Sequence, residues 1–456
     1  MNDAYFFGGV EHDEKQAIFK TEFSLLFAGS GAGKWKTEYL YSENSGKTES
    51  FTRGNFQKTL DKIKEKLKDR ISGKETGGKD DQLLLYISAH GNEPKKDDKT
   101  HTVEAADGSV SMDDLQSIVT LAEQAKVKLA IVSQSCNSGN ILKLETNNTC
   151  IISGSGEKSG AYSGGAEYFA FEIQDAFRKG TRNVSLEQVF LTARKKQVET
   201  AIPMINTDAG KKAAEFLKSV ELFLTTTNEF HLRNVSACSQ DKAISKNFLG
   251  VLDVLLREQV NDPKLRKRLM NQFQEIEVQK HKMKSIYRAL AKLENNPPLL
   301  CQRKITVKNS APKFQHYSPK YDAEGNIVTS FSDDQPDVEV IYHLRKNKSQ
   351  KKRNEKCEPF VGTYWAYLNI DQVIENTTDP DMRMVLYHWK DVIDTIEDKK
   401  GFKKILNNSI RTKSQLDAAM LSKAKALVAK EKEVFQELYS YFRSQESSNA
   451  CSEFVL

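Results

Sequence analysis

Two short blocks of the 456-residue chain carry side chains able to open an acyl bond. "LLLYISAHG" ends in His90-Gly91, and "KLAIVSQSCNSG" ends in Cys136-Asn137-Ser138-Gly139. Each follows an apolar run short enough for a buried strand. In an open α/β sheet, ligands meet the carboxyl ends of the strands, so both ends fall where chemistry is done. A cysteine attacks as its thiolate, which needs a base or cation nearby at neutral pH. A following helix N-terminus is expected to lower the thiol pKa further. With the two strands as neighbours, imidazole and thiol face one crevice. The backbone N–H groups of Gly91 and Cys136 are then candidates for an oxyanion hole, where one donor is worth ~3 kcal/mol. Taken singly, Cys136 reads as a small buried apolar residue and His90 as a loop residue. Their joint occurrence at two strand ends separated by a helix carries the catalytic reading.

A third block imitates a different chemistry. "LLFAGSGAGKWKT" (25–37) is close to the phosphate loop G-x-x-x-x-G-K-[ST], but Trp35 stands where a magnesium-binding hydroxyl is needed. A phosphate loop follows a strand and opens a helix. Here the glycines follow the helix predicted over "AIFKTEFSLLFA" and precede the strand predicted over "WKTEYLY" (35–41). That puts them at a helix C-terminus, which repels anions. Gly29 reads as a helix-stopping residue. An NTPase is rejected.

The elements that must position His90 and Cys136 alternate regularly. Strands are predicted at 4–10, 35–41, 82–88, 128–135 and 149–155, with a last one over "SVELFLTT" (219–226). Between them, "NFQKTLDKIKEKL" sets Phe56, Leu60, Ile63 and Leu67 on one helical face, and Ser111 caps the helix "SMDDLQSIVTLAEQA". "AEYFAFEIQDAF" and "SLEQVFLTARKKQ" complete the helices. Strand and helix in turn imply a mostly parallel sheet sandwiched by helices.

Beyond residue 226 the character changes. "FLGVLDVLLREQV" reads as an apolar helix, and Asp262-Pro263 as an N-cap and first-turn pair opening a long helix that stops at Asn296-Pro297-Pro298. From about 300 to 370 the chain is Lys-rich and turn-rich, with strands expected at "DVEVIYHL" and "GTYWAYLNI". It is helical again from about 379, with Leu416, Met420, Ala424, Leu427, Val434, Leu438 and Tyr441 on a near-heptad stripe. That stripe reads as core or an intramolecular helix pair, with a coiled-coil dimer second. The expected division is 1–226, a helical region at 227–300, a mixed basic region at 301–378 and a helical C-terminal region at 379–456. No internal repeat is evident.

Composition narrows the classes. With 38% hydrophobic and 29% charged residues, the chain is globular but polar, and a net charge of +6 over this length is mild. No apolar run reaches the ~18 residues of a membrane span, so no integral membrane segment is expected. The N-terminus lacks a basic n-region, arguing against a standard secretory signal. The six cysteines are scattered without a C-x-x-C pair. That argues against a disulfide framework or zinc knuckle and for a reducing compartment. The histidines other than His90 are too dispersed to suggest a metal site. The basic run "RKNKSQKKRNEK" (345–356) lacks interleaved aromatics, so nucleic acid is not an expected partner.

The blocks "YISAHG…SMDDL…KLAIVSQSCNSG…CIISGSGEKSGAYS" resemble the legumain family of caspase-fold (clan CD) cysteine peptidases. That family shows a strand ending in His-Gly, a short helix, a strand ending in Glu-Ala-Cys-Glu-Ser-Gly, then a strand and a Ser-Ser-Tyr-like segment. The resemblance covers residues 1–226 and implies a cysteine endopeptidase without a cofactor, acting on protein or peptide substrates. It implies Cys136 as nucleophile, His90 as the acid/base that protonates the leaving amine, and Gly91 N–H at the oxyanion. It also implies substrate contacts at Gln134, Ser153 and Ser155. Gln134 departs from the family's glutamate, so asparagine preference is not carried over. Glu14 and Glu167 fall near family pocket positions. Either both line an acidic pocket suited to Lys or Arg, or both are solvated surface residues. By analogy with legumain-like enzymes, the C-terminal half is expected to mask the site, regulate it or bind a partner. A pseudopeptidase that binds partners through its helical half and a transpeptidase are the alternatives. The expected location is cytoplasmic, or outside the cell without a signal peptide, as for a bacterial effector.

Overall fold

The computed structural model describes residues 2–9, 35–41, 49–75, 80–157, 169–175, 184–196, 202–226, 248–295 and 399–456. It also describes shorter stretches between 299 and 396. They form two compact units, one of residues 1–284 with 422–456 and the other of 285–421.

The first unit is built on a six-stranded sheet. Its strands are β1 (Asn2–Gly8), β2 (Lys36–Tyr41), β3 (Gln82–Ser88), β7 (Lys128–Gln134), β8 (Thr149–Ser153) and β9 (Met204–Ile205). They lie in the order β2-β1-β3-β7-β8-β9, parallel except for the antiparallel edge strand β9. All seven residues of β3 are buried, as expected where helices cover both faces of a parallel sheet. One face packs Tyr5, Leu85, Ile131 and Ile151 against helices α1 (Arg53–Ile71) and α2 (Gln116–Gln124). Helix α1 buries Phe56, Leu60, Ile63 and Leu67, the stripe read from sequence. It starts where Thr52 Oγ1 accepts the Asn55 N–H at 3.1 Å and ends with Lys68 and Arg70 on the negative end of its dipole. Burying one such leucine contributes about 2 kcal/mol. A 3-10 turn, Met112–Leu115, precedes α2, and Ser111 caps it.

The opposite face buries Phe6, Tyr86, Val132 and Ile152. The unit also contains α3 (Leu186–Lys196), α4 (Asp208–Thr226), α5 (Phe248–Gln259), α6 (Pro263–Asn295, to residue 284) and the last half of a long helix, Lys399–Arg443. Asp262 caps α6 through the Lys264 N–H at 2.8 Å. Residues 219–226, expected as a strand, are the end of α4. Ala213, Phe216, Leu217, Val220 and Leu224 are buried at helical spacing, and the sheet ends instead at the two-residue strand β9. Only four of those eight residues are apolar, too few to fix a period, and the segment is continuous with the helix before it.

The long helix buries Met420, Ala424, Leu427, Val434 and Leu438 within this chain. Its Glu431 meets Arg194 of α3 through two bonds of 2.6 and 3.0 Å, both side chains almost fully buried, with the guanidinium 3.6 Å from the Phe435 ring centroid. Past it, the tail returns to the sheet. Cys451, in the short helix Ala450–Glu453, is disulfide-bonded to Cys150 of β8 across 301 residues. This corrects the expectation of unpaired cysteines: spacing along the chain holds no record of a contact made only by folding. Val455 exchanges two 2.8 Å bonds with the Gln82 side chain, and Lys128 donates to the Glu453 carbonyl. Gln82 and Lys128 open β3 and β7, so the tail closes the amino ends of the strands.

The second unit holds an antiparallel sheet in the order Val338–Arg345, Leu299–Thr306, Lys356–Pro359, a two-stranded pair, and two helices joined by Ile370, Ile374 and Leu386. The segment "GTYWAYLNI" lies outside the described residues up to 369, and Ile370 begins a helix. The glycine stretch through 34 and the basic run over 346–355 also lie outside them. No described helix is long and apolar enough to cross a membrane.

Candidate active site

Strands β3 and β7 are parallel neighbours, with Ser88 opposite Gln134. Carried two residues further, this register brings His90 and Cys136 out of adjacent strand ends. The two loops touch: a Cβ on Gly91 would lie 2.1 Å from the Cys136 carbonyl oxygen and 3.0 Å from its nitrogen. Only a residue without a side chain fits. His90 and Cys136 are both half-buried, and Cys136 takes part in no disulfide.

After His90 the chain makes a small antiparallel sheet, which the local apolar pattern does not announce: β4 (Gly91–Asn92), β5 (Thr102–Ala105) and β6 (Gly108–Ser111). Glu104 N–H donates to the His90 carbonyl at 2.9 Å. Gly91 faces Val103 in the next pair. Antiparallel ladders alternate bonded and non-bonded pairs, so the Gly91 N–H turns away from β5. The turn Ala106-Asp107 before Gly108 (φ 132°) carries an Asp-Gly signal.

Beneath Cys136 lies a buried layer of hydroxyls. Ser155 Oγ donates to the Ser135 carbonyl at 2.9 Å and accepts the Ser138 N–H at 3.2 Å. Ser155 N–H in turn donates to Ser138 Oγ at 3.1 Å, and Ser153 Oγ to the Ser155 carbonyl at 3.0 Å. Ser153 and Ser155 have no exposed surface; they hold the loop that bears Cys136. Gln134 is also buried. Gly154 packs on it, since a Cβ there would lie 2.2 Å from Gln134 Oε1, and among the described residues the Gln134 Nε2 has no hydrogen-bond partner. Glu14 and Glu167 lie outside the described residues.

The helix expected after Cys136 is a six-residue 3-10 turn, Ser138–Lys143, led by Asn137 in the left-handed region at φ 58°. So short a turn aligns few peptide dipoles toward the thiol. His101 was not singled out from sequence. It is fully buried, with Nε2 2.8 Å from Ser135 Oγ and 3.2 Å from Ser133 Oγ. Burial pushes its pKa down to about 4, so the ring is neutral at neutral pH. Among the described residues, no group of three or more His, Cys, Asp or Glu is arranged to hold a metal ion.

No protein-family model matches the chain, and no curated protein sequence matches it. Eleven solved chains do match in fold. Caspases are among these neighbours. Caspase-1 from Spodoptera frugiperda has a TM-score of 0.29 at 12% identity, covering 45% of this chain and 86% of its own. The Drosophila initiator caspase Dronc has a TM-score of 0.26 at 9% identity, covering 42% of this chain and 70% of its own.

Proposed function

We propose that the chain is a cysteine endopeptidase with Cys136 as nucleophile and His90 as acid/base. The observation that carries this reading is the side-by-side, parallel register of β3 and β7, with Gly91 seated against the Cys136 backbone. The Cys136 thiolate attacks the scissile carbonyl carbon, forming the S–C bond. As the tetrahedral intermediate collapses, the C–N bond breaks and His90 protonates the departing amine. Water then attacks the acyl-thioester, gives a proton to His90 and releases the thiolate. The Gly91 N–H, turned away from β5, is a donor for the oxyanion.

Residues 285–421, a compact unit of their own, are the part we assign to regulation or to holding a protein partner. Residues 422–456 belong to the same unit as the sheet, and the tail after 449 meets it at the strand ends opposite Cys136.

A thiol-directed peptidyl probe tests the dyad on the full chain. Labelling of Cys136 that falls at least about 100-fold in His90→Ala supports it. Absent labelling, or labelling indifferent to His90, sinks it in favour of a non-catalytic interaction protein. A peptide library sorted by the residue before the scissile bond reads the pocket: preference for Lys or Arg supports acidic Glu14 and Glu167 there, and an asparagine-only profile refutes it.

A further inference from the structure

His101 immediately precedes β5, the strand that also braces the His90 loop. Over four residues, one short segment holds both candidate catalytic loops. Glu104 N–H bonds the His90 carbonyl, Val103 faces Gly91, and His101 Nε2 reaches Ser135, the residue before Cys136. The entry to this segment is itself pinned, because the Asp113 carboxylate accepts the Lys99 N–H at 2.8 Å, the Thr100 N–H at 3.0 Å and the Thr100 hydroxyl at 2.8 Å. Met112 N–H closes the other side on the His101 carbonyl at 3.1 Å.

The imidazole is a poor choice for a residue that only fills space. Among the described residues its buried Nδ1 has no hydrogen-bond partner, a defect that costs stability. Its polar contacts are both with hydroxyls of the strand that delivers Cys136, Ser133 and Ser135, which also lie 3.1 Å from each other. An apolar side chain would bury as well without that penalty, but it would leave the Ser135 hydroxyl without its ring partner. Ser135 in turn gives its carbonyl to Ser155, so a shift there moves the whole nucleophile loop.

We propose that His101 is a positioning residue which, through the Ser135 hydroxyl, sets the Cys136 loop in register with the His90 loop braced by the same strand. This rests on the reading of Cys136 as the nucleophile. His101 does not reach the reacting atoms; it acts through Ser135.

The test uses the full chain with His101→Leu, His101→Gln or Ser135→Ala, and two readouts. One is kcat and KM for peptide turnover. The other is the rate at which iodoacetamide alkylates Cys136, followed by peptide mass mapping, which needs no turnover. In His101→Leu, kcat is expected to fall about 100-fold, the penalty for a misplacement of ~1 Å near reacting atoms. KM should change by less than about three-fold, because ground-state binding is untouched. Glutamine carries a polar atom near the Nε2 position, so His101→Gln should recover kcat to within about ten-fold of wild type. Alkylation of Cys136 should slow in His101→Leu and recover in His101→Gln. Wild-type kcat and alkylation in a folded His101→Leu protein overturn the proposal. So does His101→Gln behaving as badly as His101→Leu, since the polar atom would then not matter. If His101→Leu does not fold, Ser135→Ala decides by deleting one oxygen from the same bond: wild-type kcat and alkylation there also overturn it. A wild-type chain without peptide turnover defeats the peptidase reading separately, and the alkylation arm still decides His101.

Discussion

The two ends of the central sheet are finished in opposite ways. At the amino ends the chain is fastened: Arg70 pairs with Asp81 just before β3, Gln82 clasps Val455, and a disulfide ties β8 to the C-terminal tail. Trp35, at the entry to β2, lies against Phe454 with ring centroids 5.9 Å apart and the rings tilted by 32°. At the carboxyl ends the described loops meet charge at their rim, where Lys143 pairs with Glu157 at 3.3 Å, while the described contacts directly under Cys136 are uncharged. Those contacts are neutral hydroxyls, a neutral buried imidazole and backbone contact at Gly91. A formal charge next to a thiol would change its reactivity as well as its position, whereas hydroxyls and peptide groups fix geometry with little field of their own. The fastened end supports stability, and the neutral end sets the geometry of the proposed His90–Cys136 pair.

Substitutions at the two ends should therefore separate activity from stability. The largest effect is expected at Gly91→Ala, where the new Cβ must push the Cys136 backbone away. Turnover should drop at least about 100-fold. Near-wild-type kcat in this variant would mean the two loops are not packed as described. At the fastened end, Cys451→Ser should lower unfolding stability by about 2–5 kcal/mol, since it opens a cross-link spanning 301 residues, while kcat holds. Urea unfolding with and without a dithiol reductant reads this, and equal midpoints would refute the clasp.

Acid should act through the neutral end. His101 stays unprotonated when folded down to about pH 4 but takes a proton near 6.5 when unfolded. The unfolded state then binds more protons across that window. Its contribution is complete above pH 6.5 and is lost as pH falls toward 4, by about 3 kcal/mol in all. A His101→Gln chain should lack that component, which paired pH-dependent melts would detect. The smallest effect is expected at Gln82→Ala. It removes two hydrogen bonds to Val455 and should cost about 1–2 kcal/mol without altering Cys136 alkylation.

Much of the sheet was legible because its signals are local. "QLLLYIS" and "KLAIVSQ" are unbroken apolar runs of strand length, and such runs mark strands buried on both faces. The stripe Phe56, Leu60, Ile63 and Leu67 could hardly be anything but a helix face. Where a signal was short, the reading failed. Residues 219–226 hold four apolar side chains without a clear period, and only the buried positions upstream in α4 make them helical. The β5–β6 hairpin was signalled by Asp107-Gly108 but by little flanking apolar pattern, since Thr102 and Ser109 dilute it. His101 could not be found from sequence, because its partners stand more than 30 residues away.

The sequence by itself determined which residues end strands β3 and β7, and therefore that a histidine and a cysteine stand at carboxyl ends of an α/β sheet. That follows from periodicity and turn chemistry, which act over a few residues. Only the tertiary structure decided that those strands are neighbours, that Ser153 and Ser155 lie beneath the Cys136 loop, and that Cys451 returns to Cys150. Strand order and long-range pairing depend on how all the apolar faces are buried at once, and no local stretch of chain carries that information.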